Sequence, residues 1–161
     1  MIILGLGSNK GDRLKYLNSA IDEIGKIASN IKRSAIYESK ALLTENAPPE
    51  WNLDFLNTAI SCDSNLSPNE LLQEIKKIEE KLGRISLGYW SPREIDIDIL
   101  AYNQLVVKEN DLIIPHQFLT KRDFAIIPFA DVAPDWIHPE IGLTASELSQ
   151  SFNNKSLHKI S

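Results

Sequence analysis

The sequence has a single cysteine, Cys62, so no disulfide can close within it and no cysteine-based zinc cluster can form. An excess of positive charge is also missing: 17 Lys and Arg stand against 22 Asp and Glu, a formal net charge of -5. That argues against a general nucleic-acid binder, which presents a basic face. A nucleotide substrate stays open, because metal ions and a few placed arginines can meet its phosphates. No apolar run approaches the roughly 20 residues that cross a bilayer, and the N-terminal Met-Ile-Ile-Leu-Gly lacks the basic start of a signal peptide. There is no internal repeat, low-complexity tract or linker. What is there is 161 residues, 43% hydrophobic and 24% charged. This suits one domain over residues 1–161 able to close a core, in a reducing cytoplasm, with no nucleic-acid or membrane partner.

The patterning alternates strands and helices. Residues 2–6 are a strand ended by the turn cluster Gly7-Ser8-Asn9. Leu14, Leu17, Ile21, Ile24 and Ala28 then mark one helical face. Residues 31–39 read as a second strand, and residues 40–53, with Pro48-Pro49, as a long aperiodic loop. Residues 54–64 form a third strand, with Leu56, Thr58, Ile60 and Cys62 on one face and Phe55 and Asn57 on the other. Ser67-Pro68-Asn69-Glu70 is a helix start with an N-cap, a first-position proline and a capping-box glutamate. Leu71, Leu72, Ile75, Ile78 and Leu82 supply that helix's apolar face, and Gly83 its stop. A second loop (residues 84–92) leads into a strand at 94–102. Short strands are expected at 105–107, 112–114 and 124–127, and a last helix near Thr144. His138 and His158 read as surface residues. The order strand, helix, strand, strand, helix, strand is that of a ferredoxin-like split βαβ α+β domain, an antiparallel sheet with helices on one face and two long loops. Such a fold does not specify an activity.

The chemistry concentrates in Glu94-Ile95-Asp96-Ile97-Asp98-Ile99. Alternation puts Asp96 and Asp98 on one strand face, about 7 Å apart at a rise of roughly 3.3 Å per residue. That spacing suits hard cations, which take oxygen ligands. A solvated strand face is the better explanation of an isolated pair, but Arg93 precedes this one and His116 and Arg122 follow it. Carboxylates for metal beside guanidinium groups for phosphate are what phosphoryl transfer needs. The glycines in Gly5-Leu6-Gly7-Ser8-Asn9-Lys10-Gly11 miss the dinucleotide spacing by one position, and read as a strand-to-helix turn in preference to a phosphate cradle. Two other classes remain open on these residues: a ligand-binding module without catalysis, and an Asp-x-Asp nucleotidyl- or glycosyltransferase.

Taken together, Gly7-Ser8-Asn9, Phe55-Leu56-Asn57, Glu79 with Gly83-Arg84, Trp90-x-Pro92-Arg93-x-x-Asp96-x-Asp98, and Pro115-His116 with Arg122-x-Phe124 resemble the 6-hydroxymethyl-7,8-dihydropterin pyrophosphokinase family. The resemblance runs from Gly7 to about Pro134. It implies transfer of diphosphate from ATP to the pterin hydroxymethyl group, with AMP released, in folate biosynthesis. It implies two Mg²⁺ ions held by Asp96 and Asp98, and catalytic roles for Arg84, Arg93, Asp96 and Asp98. Ser39, Leu42, Phe55, Asn57, Trp90 and Phe124 match pterin contacts, with Phe55 and Phe124 as stacking walls and Asn57 as edge reader. Glu79, Arg84, Arg93, His116 and Arg122 match nucleotide contacts, although Glu79 alone would read as a solvent-facing helix residue. Lys40 replaces a usual proline, Ser86 a second loop arginine, and Gln117 a usual proline or tyrosine. The partners implied are ATP and the pterin, met by a monomer or by a unit fused to, or associated with, another folate-pathway enzyme.

Overall fold

The computed structural model describes residues 1–84, 91–153 and 156–160. In chain order the elements are β1 (Ile2–Ser8), α1 (Arg13–Ile24), β2 (Ser29–Arg33), β3 (Tyr37–Ser39), β4 (Phe55–Asp63), α2 (Pro68–Lys81), β5 (Asp96–Tyr102), β6 (Val107–Lys108), β7 (Ile113–Ile114), α3 (Asp123–Val132), α4 (Ala145–Gln150) and β8 (His158–Lys159). The main antiparallel sheet runs β5-β1-β4-β3-β8, with β2 also paired to β4, and β6 and β7 make a separate ribbon. This is the expected ferredoxin-like path.

Local chemistry explains the helix starts. Ser67 accepts from the Glu70 N–H while Glu70 accepts from the Ser67 N–H, and Thr144 and Glu147 repeat this capping box at α4. Gly83 has φ of 90°, a conformation that favours glycine, and stops α2 just past its last turn. Along β1, Leu4 and Leu6 join Ile60, Ile97 and Ile99 against Leu17, Ala20 and Ile24 of α1 and Leu71, Ile75 and Ile78 of α2. Each such side chain contributes about 1.5–3 kcal/mol on burial.

The structure corrects the sequence reading in several places. Helices cover both faces of the sheet: Ile3, Ala59 and Leu100, on the face away from α1 and α2, pack on Ile126 and Phe129 of α3, with Trp136 and Ala145 beside them. The expected strand at 31–39 is two strands, because Ser34 breaks the ladder. Its hydroxyl accepts the Ala59 N–H at 2.9 Å, while its own N–H donates to the Ala59 carbonyl at 2.8 Å. Residues 124–127, expected as a strand, lie in α3. Their unbroken apolar run carries no helical period, and Pro128 sits within the helix. Gly5 and Gly7 are strand residues, leaving only Gly11 of that run in the turn. Leu14 is 45% exposed, so the buried stripe of α1 begins one turn later at Leu17. His138 is buried, its Nδ1 accepting the Glu140 N–H and its ring edge-on to Trp136.

Candidate functional site

The register of the sheet assembles the site. Gly7 of β1 lies opposite Asp96 on one side and Asn57 on the other. Gly5 lies likewise between Asp98 and Ala59. Directly opposed residues in an antiparallel pair share a face. Two carboxylates, two glycines and an amide therefore stand in adjacent rows on the α3 side of the sheet. The glycines keep this floor open. A Cβ on Gly7 would lie 3.3 Å from Phe55 Cδ1 and 3.4 Å from Asn57 Oδ1. A Cβ on Gly5 would meet Leu100 Cδ1 at 3.0 Å. Above the floor is an open cleft lined by Ser39, Phe55, Asn57, Asp96, Asp98 and Phe124.

One half of the cleft is ionic. Asp96 is gripped from both sides, by Arg93 Nη1 at 3.0 Å and by Arg84 Nη1 at 3.2 Å. Arg84 in turn donates to Glu79 Oε2 at 2.5 Å, and the Ile97 N–H donates to the same oxygen at 3.0 Å. Burial and the nearby Asp96 push the Glu79 carboxyl above its ordinary value, against the pull of Arg84 and the Ile97 N–H. Asp98 keeps some contact with solvent at the cleft wall but lies deep in the molecule. Burial, Asp96 and Glu79 push its carboxyl up to about 8, against Arg93 and Arg122. Mutual repulsion of this kind is what a divalent cation relieves. Among the described residues, no cluster of three or more His, Cys, Asp or Glu could hold an ion by itself. The donor set fits Mg²⁺, which is usually held by one or two carboxylates and completed by phosphate oxygens and water. His116 borders this half, its backbone N–H donating to the Leu100 carbonyl. Burial and Arg122 lower its pKa, and its Nδ1 accepts the Phe118 N–H at 3.2 Å, so the neutral ring carries its proton on Nε2.

The other half is flat and mostly apolar. Phe55 comes from the start of β4 and Phe124 from the first turn of α3, and both are half-buried along the cleft. Asn57 is buried, its Nδ2 donating to Ser39 Oγ at 2.8 Å and more weakly to the Tyr37 carbonyl at 3.4 Å. That leaves its Oδ1 on the Gly7 side. Arg122 lies over the Phe118 ring at 4.4 Å and near the Phe124 ring at 5.6 Å. Tyr37 Oη donates to Asp131 Oδ2 at 2.6 Å, tying α3 to β3; burial and this bond push the phenol pKa up.

The fold thus brings Ser39, Leu42, Phe55 and Asn57 to one cleft with Arg93, Asp96, Asp98, Arg122 and Phe124. Glu79, Arg84 and His116 do not line it but reach it through Asp96, Arg122 and Leu100. Trp90 and Ser86 lie outside the described residues. Glu79, solvent-facing on helical pattern alone, is 8% exposed because the end of α2 packs against β5. The sequence reading missed Gly5 and Gly7 as a cleft floor. The available signal was their spacing of two within an apolar strand run, which aims both at one face.

Such a site on a ferredoxin-like sheet defines a class, the α+β phosphoryl-transfer enzymes. Comparison with known proteins narrows it. Residues 3–134 match the model of the 7,8-dihydro-6-hydroxymethylpterin-pyrophosphokinase (HPPK) family, and the chain belongs to that family. It is 44% identical over 138 residues to the 2-amino-4-hydroxy-6-hydroxymethyldihydropteridine pyrophosphokinase of Aquifex aeolicus, covering 86% of this chain and 83% of that one. It is 42% identical over 136 residues to the folate synthesis bifunctional protein of Chlamydia muridarum, covering 83% of this chain but only 30% of that longer protein. The crystal structure of wild-type Plasmodium falciparum HPPK-DHPS matches 93% of this chain and 44% of that one, with a TM-score of 0.73 at 17% identity, a likeness of fold.

Proposed function

We propose that this chain, as one catalytic domain, transfers the terminal diphosphate of ATP to the hydroxymethyl group of 6-hydroxymethyl-7,8-dihydropterin, giving AMP and the pterin diphosphate for folate biosynthesis. The carrying observation is the cross-strand row Asp96–Gly7–Asn57, which sets the ionic half of the cleft against the flat half at the distance of neighbouring strands. The pterin stacks between Phe55 and Phe124. The carboxamide of Asn57, oriented by Ser39, reads its edge, and Leu42 closes the side. Arg93, Arg84 and Arg122 meet the phosphates, with the Nε2–H of His116 as a further donor and Glu79 holding Arg84 in place.

Asp96 and Asp98 would hold Mg²⁺, which neutralises phosphate charge and aligns the chain of phosphates when bound. The substrate hydroxyl oxygen forms a bond to the β-phosphorus while the bond from that phosphorus to the α,β-bridging oxygen breaks. AMP leaves with the electron pair, and the hydroxyl proton is released to solvent. A loose transition state asks little of a base, so positioning and charge neutralisation by the arginines carry the rate. The reading includes a cytoplasmic location, supported by the lone Cys62. The test is product analysis with ATP, Mg²⁺ and the reduced hydroxymethylpterin. AMP should appear in equal amount to pterin diphosphate and only with Mg²⁺; release of ADP or free diphosphate would overturn the assignment.

A further inference from the structure

Asn9, the residue just past β1, belongs to neither half of the cleft, yet it is bonded to the backbone of a segment leading into each. It is 3% exposed. Its backbone N–H donates to the Arg93 carbonyl at 3.1 Å, and its Oδ1 accepts the Arg93 N–H at 2.8 Å. Its Nδ2 donates to the Leu53 carbonyl at 3.1 Å, two residues before Phe55. Arg13 continues the same clamp, its Nη1 donating to the Asp54 carbonyl at 3.0 Å and to Glu38 at 2.7 Å. A buried position that must accept on one side and donate on the other calls for a carboxamide. An aspartate supplies acceptors only, and an alanine leaves both backbone groups without this partner.

We infer that Asn9 is a positioning residue that locks the Arg93 segment to the start of β4, so that the phosphate arm and the pterin wall keep one register. The inference rests on the function proposed above. Because Asn9 uses a different atom on each side, the two ties can be cut separately. Asn9→Asp keeps the acceptor for the Arg93 N–H but sets an oxygen against the Leu53 carbonyl. It should therefore raise the pterin KM about tenfold while the ATP KM stays within about twofold. A mere loss of stability would not split the two constants. Equal rises in both, or no rise in either, overturn the inference.

If the aspartate variant does not fold, Asn9→Ala is used with hydrogen exchange. A non-hydrolysable ATP analogue with Mg²⁺, added alone, should increase amide protection at residues 51–55 in the parent protein and not in Asn9→Ala. The same protection in both overturns the inference. Phe124→Ala, run in parallel, separates the two readings. Unchanged pterin affinity there overturns the assignment of the cleft. Weakened pterin affinity there, without a split in Asn9→Asp, overturns the role of Asn9 alone.

Discussion

The two faces of the central sheet are built from the same strands and do opposite work. On the face toward α1 and α2, β1, β4 and β5 present Leu4, Leu6, Ile60, Ile97 and Ile99, and the helices close over them completely. On the other face the neighbouring positions of those strands are Gly5, Gly7, Asn57, Asp96 and Asp98, and α3 with its partners covers only the end marked by Ile3, Ala59 and Leu100. One face gains stability from apolar burial. The other gives up part of it to keep two carboxylates and an open floor. A substitution should therefore register in stability on the first face and in activity on the second.

The largest effect should come from the carboxylates. Asp96→Ala and Asp98→Ala should each lower turnover by about three orders of magnitude or more with the fold retained, as steady-state kinetics at saturating Mg²⁺ and circular dichroism would show. Near-normal turnover in both would erase the distinction between the faces. On the helix-covered face, Ile75→Ala should cost about 2–5 kcal/mol in denaturant unfolding while leaving the pterin KM of the folded protein unchanged.

Next is the stacking wall. Phe124→Ala should cost about 1–3 kcal/mol of pterin binding, or roughly 5- to 150-fold in affinity at 1.4 kcal/mol per decade, with ATP affinity in the absence of pterin much less affected. Equal losses for both ligands, or a change in melting temperature alone, would make Phe124 a core residue.

The pH dependence sharpens the comparison further. The Asp98 carboxyl lies near 8 in the folded protein against an ordinary value of 3.8. Below 3.8 both states hold the proton and there is no penalty. As pH rises from about 4 to about 8 the unfolded chain has already released it, so folding stability of the metal-free protein falls, and above 8 it levels. Asp98→Asn should remove that slope and, at pH 8, stabilise the metal-free protein while abolishing activity. Melting curves in chelator from pH 4 to 9 would show it; parallel pH profiles for the two proteins would contradict it. The smallest effect should be at Gly7. Gly7→Ala sets the entropy gained on losing a strand-interior glycine against close contacts with Phe55 and Asn57, and should shift stability by less than about 1 kcal/mol. Its new methyl crowds Phe55 and Asn57, so pterin affinity measured by titration should fall in the same variant. A gain in both would show that the floor has room to spare.

Much of this architecture is visible in the chain itself, and the exceptions share a cause. Ser67, Pro68, Glu70 and Gly83 announce α2 because capping chemistry is local. Asp96 and Asp98 announce themselves because strand alternation needs no partner to define a face. Helix α3 was hidden, since a segment buried against both sheet and helix loses the polar side that makes a period readable. Glu79 was hidden for the converse reason: a charged residue on a helix reads as solvated until Arg84 and the Ile97 N–H are found beside it. The glycines of β1 looked like a turn because glycine marks both turns and close approach, and only the pairing of Gly7 with Asp96 and Asn57 separates the two.

By itself, then, the sequence determined the order of most elements, the helix caps, the faces of β4 and β5, and a set of motif residues specific enough to indicate the family. These depend on interactions within a few residues, or on a period that any short window contains. Tertiary structure alone decided that helices cover both faces, that Phe124 enters the cleft from a helix, and that Asn9 bridges Arg93 to Leu53. Those outcomes rest on strand register and on contacts between segments tens of residues apart, where one residue's slip would turn every side chain of a strand to the other face.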